Sequence, residues 1–260
     1  MIDWLYSFPD TILLALFALA VSALVVALPS LTQRLPFLRA DNENTDVIFR
    51  IQATLFMMTS LMLAFTLLEA ESNFRKVDAL ASAEASLINR LDRLLTRYDD
   101  ASASSIRPHL HAYALSIAKE EWPEMLRGKT SDKTRLAFIP ISRGILGMNP
   151  SLGRQTTIYA EILRSFDSIA ETRDARLNAV SVSLPASYWQ VVMFAVLMLI
   201  FVSSTVERTP FRHIVLAGQM AVLGAFIGFV FIKDQPFKGQ SAIDAKSIVQ
   251  AISIMQARPE

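Results

Sequence analysis

Four stretches of this chain are too long and too apolar to be core helices of a water-soluble domain, and they limit everything it can fold into. Residues 11–28, 51–68, 188–206 and 213–232 contain no Asp, Glu, Lys or Arg. A hydrocarbon core about 30 Å thick is crossed by roughly 17–25 mostly apolar residues at about 1.5 Å rise each, so every stretch can span it. The expected fold class is an all-α integral membrane protein with four transmembrane helices and a helical extramembrane domain between spans two and three. Composition agrees, with 52% hydrophobic residues and a mean hydropathy of +0.37.

Several function classes fall away at once. A net charge of +1 over 260 residues is not the concentrated basic face that displaces counterions from a nucleic acid. With no Cys, the chain has no disulfide, thiolate metal site or cysteine nucleophile. The first stretch is read as an uncleaved helix, because a signal peptide wants a basic leader and residues 1–10 carry Asp3 and Asp10 with no Lys or Arg. Trp4, Tyr6, Tyr188 and Trp189 then stand where interfacial anchors belong.

The polar segment 70–187 holds 16 of the 25 basic residues and is long enough for a domain. Val77, Leu80, Leu87, Leu91, Leu94 and Leu95 form one apolar stripe at helical spacing; Ile158, Ile162, Leu163, Phe166 and Ile169 form another. Asp99-Asp100 and the serines after it end one helix and start the next, which should run to about Trp122 before Pro123. Residues 128–153, with four Gly and two Pro, are expected to be an extended connection, followed by a helix over about 154–182. The division expected is therefore a membrane hairpin over 1–69, the helical domain over 70–187, a second hairpin over 188–232, and a juxtamembrane tail over 233–260.

Within the spans, Gln52, Thr59 and Thr66 recur every seven residues and Asn73 continues the series, with Phe56 and Leu63 between them. A seven-residue repeat keeps side chains near one helix face, and polar groups at bilayer depth must meet water or a partner helix. Two readings stay open: a pore lined by this stripe in several copies, or hydrogen bonds between helices. A non-conducting protein predicts that Gln52, Thr59 and Thr66 are buried between helices. Gln219, single in its span, is read as an interhelical contact. Glu69, Arg75 and Lys76 would sit at the mouth of such a pore, although solvated helix faces carry the same pattern. In the fourth span Gly224 and Gly228 form a small-xxx-small pair that lets another helix approach closely.

After that span, Asp234 and Gln235 precede Pro236, which stops the helix; Phe237 follows, and Gly239 permits a positive-φ turn before an expected amphipathic helix over 241–256. Enzyme motifs are missing: Gly128-Lys129-Thr130 lacks the upstream Gly of a phosphate loop, and no G-x-S-x-G or H-E-x-x-H occurs. His109 and His111 fall on different helix faces. No catalytic residue, metal or cofactor is expected.

Ala64-Phe65-Thr66, Phe74-Arg75, Glu84-Ala85, Tyr113, Glu121-Trp122-Pro123, Arg173-x-x-Arg176-Leu177 and Leu184-Pro185 before Trp189 occur in order, and Lys233-Asp234-Gln235-Pro236-Phe237-Lys238-Gly239 carries a D-x-P-F-x-G signature. Together, over roughly 50–250, these resemble the bestrophin-like membrane proteins of bacteria. Bestrophins are pentameric anion channels with four spans per subunit, cytoplasmic termini and a helical cytosolic region after span two. The resemblance thus implies a homo-oligomer in a bacterial inner membrane, passing inorganic ions through a pore, with domain and termini cytoplasmic. Two features of true bestrophins are missing: an aromatic neck in span two and an acidic cluster in the tail. The alternatives are a non-conducting membrane scaffold or sensor presenting its helical domain to a partner, and a secondary transporter. Flanking charge leaves orientation open, since Arg34 and Arg39 after the first span oppose Arg75, Lys76, Lys233, Lys238 and Lys246.

Overall fold

A computed structural model describes residues 3–27, 42–98, 100–151, 153–205 and 209–258; Arg34, Arg39 and Asp99 lie outside the described residues. The chain divides into two compact units, Met1–Phe74 with Ser183–Ala242, and Arg75–Val182 with Ile243–Glu260. Among the described residues all regular structure is helical.

The first unit holds four helices long and apolar enough to cross a membrane. They are α1 (Asp10–Ala27), the first part of α2 (Asn42–Tyr98), α7 (Ala186–Ser204) and α8 (Pro210–Asp234). Helix α2 is 57 residues long, about 85 Å at about 1.5 Å per residue, so span two and the apolar stripe from Val77 to Leu95 belong to one continuous helix. No Pro or Gly interrupts the helix, and Leu63, Ala70, Val77, Ala81, Ile88 and Leu91 keep one inner face buried throughout. Helix α8 starts where Thr209 accepts a hydrogen bond from the Arg212 amide at 3.3 Å and Pro210 occupies the first turn, where it loses no hydrogen bond.

Helix α1 packs along α8, and glycine makes that possible. A Cβ on Gly224 would stand 2.4 Å from the Phe17 carbonyl oxygen and 2.8 Å from Ala18 Cα; one on Gly228 would stand 3.2 Å from Phe17 Cβ. The small-residue face is therefore filled within the chain. Van der Waals packing of this kind is what holds helices together where lipid removes the hydrophobic driving force.

The second unit is built on the rest of α2, α3 (Ala101–Ser116), a π-helical segment Ile117–Glu121, α4 (Trp122–Met125), α5 (Asp132–Leu146), α6 (Arg154–Asn178) and α9 (Lys246–Gln256). Ile88, Leu91, Leu95, Ile106, Leu110, Ile141, Ile162 and Ile169 are buried in its core. Three expectations need correcting. The connection expected over 128–153 contains α5: Ser131 caps it by accepting from the Thr134 amide, and Gly144 serves packing, since a Cβ there would lie 2.6 Å from Ile106 Cγ1. Helix α6 ends at Asn178, with a 3-10 turn over Ala179–Ser181. The tail helix starts at Lys246, because residues 240–245 are spent on contacts: Ser241 Oγ donates to Asp10, and Asp244 Oδ1 accepts from the Lys246 amide at 3.1 Å. Residues 243–260 belong with 75–182, where Trp122 Nε1 donates to the Ile243 carbonyl at 3.0 Å.

Candidate functional site

In each unit polar residues reach positions where polar groups are costly. In the first unit the heptad stripe of α2 points into the protomer: Gln52, Thr59, Leu63 and Thr66 are 4%, 3%, 1% and 2% exposed. Each polar member is satisfied locally. Gln52 Nε2 donates to Gln219 Oε1 at 2.8 Å, while the hydroxyls of Thr59 and Thr66 donate to the carbonyls of Leu55 and Met62, one turn back, at 2.7 and 2.9 Å. Phe56 and Asn73 are half-buried.

The opposite face of the helix is bare. Met58, Leu61, Phe65 and Leu68, at three- and four-residue spacing, are 59%, 58%, 62% and 65% exposed. Met58, Leu61, Phe65 and Tyr188, with Met62 and Thr66 at its floor, line a groove of about 320 Å³. Glu69, Arg75 and Lys76 are exposed further along the helix. Glu69 lies one turn beyond Phe65 and continues the bare face.

The tail motif is a clasp within the first unit. Asp234 at the end of α8 accepts from the Leu184 amide at 2.5 Å and from Trp189 Nε1 at 3.3 Å, pinning the entrance of α7. Pro236 and Phe237 are buried, and Gly239 has φ +83°, a conformation open to glycine at little cost. Tyr6 donates to the Phe231 carbonyl at 3.1 Å and stacks on that ring at 4.6 Å. Lys233 pairs with Glu71 at 3.7 Å and stands 4.2 Å over the Phe74 ring.

In the second unit four charges meet in the core. Arg176 Nε donates to Glu84 Oε2 at 2.5 Å and its Nη2 to Glu121 Oε2 at 2.7 Å, all three side chains being fully buried. Arg173 donates to the other oxygen of Glu121, and Tyr113 donates to Glu84 Oε1 at 3.2 Å. The Arg176 guanidinium lies 5.2 Å over the Trp122 ring. Burial works against its charge, yet Glu84 and Glu121 outweigh that and hold Arg176 above the ordinary arginine range. Burial first, and Glu84 second, push the Tyr113 phenol well above its usual value. The π-helical segment inserts an extra residue into the turn that delivers Glu121.

In the sequence these residues stand out only as parts of the family motif, and spacing alone gives no sign that they converge. One signal was present. Glu84 falls on the apolar stripe between Ala81 and Ile88, and Arg173 and Arg176 continue the stripe of Ile162 and Ile169, so charges stood where the core was due. With two carboxylates matched to two guanidiniums, the cluster is neutral and locks α2, the π segment and α6 together. It offers no free nucleophile or base. Among the described residues no group of three His, Asp or Glu is placed to hold a metal ion.

Four helices in one unit, each long and apolar enough to cross a bilayer and two of them joined by the buried Gln52–Gln219 pair, define a multi-pass helical membrane protein. The chain belongs to the bestrophin-like family, whose domain matches residues 13–248. Its fold is similar to that of a bacterial bestrophin homologue from Klebsiella pneumoniae. One variant of that protein superposes with a TM-score of 0.68 at 13% identity, covering 96% of this chain and 99% of the other. A second crystal structure of it gives 0.66 at 14% identity, covering 96% and 100%. No curated protein matches the sequence.

Proposed function

We propose that this protein is a homo-oligomeric ion channel, passing inorganic anions passively along an axis that copies of the second span surround. One observation carries the reading: the bare face of α2, Met58, Leu61, Phe65 and Leu68, which runs into Glu69 at one end. A residue that lines an axial pore must be exposed on the single protomer. Gln52, Thr59 and Thr66 are not, so the lining moves from the expected polar stripe to the opposite, apolar face. Such a lining conducts as a hydrophobic constriction that gates by wetting and drying. Membership in the bestrophin-like family supports the channel reading, a pentamer, a bacterial inner-membrane location and a cytoplasmic placement of segment 70–187 and both termini.

A non-conducting scaffold is the second reading. The burial and local pairing of Gln52, Thr59 and Thr66 favours it, and lipid covers an apolar face as readily as a neighbouring copy does. Chloride efflux from liposomes reconstituted with the purified protein separates the two. Voltage-driven efflux is the expected result, and liposomes no leakier than protein-free controls would support the scaffold.

A further inference from the structure

Asp92 on α2 is fully buried, and three basic side chains face its one carboxylate. Arg107 Nε on α3 donates to Oδ1 at 3.0 Å, and Arg258, just past α9, donates to Oδ2. His111, one turn after Arg107, places Nε2 3.5 Å from Oδ1. That distance permits an ion pair but not a hydrogen bond, and Nε2 is buried with no hydrogen-bond partner. Arg258 Nη2 is used, donating to Asn89 Oδ1 at 2.7 Å. Among the described residues the two terminal nitrogens of Arg107 make no hydrogen bond.

Arg107, His111 and Arg258 line a pocket of about 640 Å³ together with Ser104, Pro108, Met255 and Gln256. Small-molecule sites occupy about 300–1,000 Å³ and pair an apolar lining with a few convergent polar groups. Two guanidiniums against one carboxylate leave a positive balance and unused donors. Guanidinium forks match the oxygens of a phosphate, and the shared pocket wall of Pro108 and Met255 offers apolar surface to whatever carries it.

We propose that this pocket binds a small organic phosphate, its oxyanion on the free N–H groups of Arg107 and on His111 and Arg258, its organic body against Pro108 and Met255. The site lies wholly in the second unit, and the proposal is independent of whether the membrane helices conduct. Removing Arg107 would also strip Asp92 of a partner and endanger the fold, so the informative variants sit at the rim. Gln256 is exposed and outside the ion-pair network.

The test is calorimetric titration of the full-length protein in mild detergent with adenosine monophosphate, using inorganic pyrophosphate and succinate as competitors. Saturable nucleotide binding is expected, with pyrophosphate competing better than succinate. Gln256→Glu, which sets a carboxylate against the oxyanion, should weaken binding about tenfold or more through like-charge repulsion in the pocket. His111→Gln should weaken it several-fold, and Gln256→Glu should melt with the parent. Absence of saturable binding, stronger competition by succinate, or affinity unchanged in both variants overturns the proposal.

Discussion

Gln52 on α2 donates its side-chain amide to Gln219 on α8 at 2.8 Å, a side-chain pair that ties the first hairpin of the membrane unit to the second. Its energetics are those of an amide pair in hydrocarbon, about 0.6–2 kcal/mol. Gln52→Leu or Gln219→Leu alone leaves one amide without a partner and should lower the melting temperature in detergent. The double Leu variant should recover most of the loss. If the two single effects simply add in the double variant, the pair contributes nothing beyond its separate side chains.

Gly224 permits a sharper test of packing. A side chain there meets the backbone of Phe17 and Ala18, which cannot rotate away, whereas a Cβ on Gly218 in the same helix meets nothing within 4 Å. Gly224→Val should abolish recovery of monodisperse protein, and Gly218→Ala should leave it unaffected. Equal behaviour of the two variants on size-exclusion chromatography would refute the α1–α8 contact.

The neutral cluster of the second unit sets up an asymmetry. Glu84→Gln leaves Arg176 buried with only Glu121, and breaking a buried pair from one side costs about 3–5 kcal/mol. Arg164→Gln, which removes an exposed pair with Glu161, should cost about 0–1 kcal/mol. Chemical denaturation followed by tryptophan fluorescence with Trp4 and Trp189 replaced by Phe, so that Trp122 alone reports, reads both, and a Glu84→Gln variant as stable as Arg164→Gln would mean the cluster is not a clasp.

Tyr113 makes the alkaline limb of stability predictable. Its phenol is held above the usual value in the folded chain, mainly by burial and then by Glu84. A raised folded pKa adds stability that is complete below the unfolded value of about 10 and is lost as pH climbs from there through the folded value. Stability should therefore fall above about pH 10, and Tyr113→Phe should flatten that fall. Phenolate absorbance near 295 nm, titrated with and without Tyr113, is the check; a Tyr113 that ionises with a free phenol contradicts its burial beside Glu84.

Much of this architecture was legible in residues alone. Apolar length announced the four spans, since only a helix satisfies its own backbone in lipid, and the D-x-P-F-x-G run correctly marked the end of the last span. The turn of α2 was not legible: a polar heptad reads the same whether it faces water or a Gln on another helix, and only the position of Gln219 opposite Gln52 decides. Helix α5 was obscured because Pro140, Gly144 and Gly147 look like breakers, yet Gly144 is small to clear Ile106. The buried cluster needed tertiary pairing, since Glu84 and Arg176 are 92 residues apart.

Where the conducting path runs is tested most directly by one comparison of reconstituted proteins. Chloride flux is measured for the parent, for Phe65→Ala on the bare face of α2, and for Thr59→Val, which keeps the shape of a buried side chain and deletes only its hydroxyl. An apolar lining predicts that Phe65→Ala changes the flux several-fold while Thr59→Val leaves it at the parental level. Flux that responds to Thr59→Val and ignores Phe65→Ala, or no flux from any of the three, would contradict it.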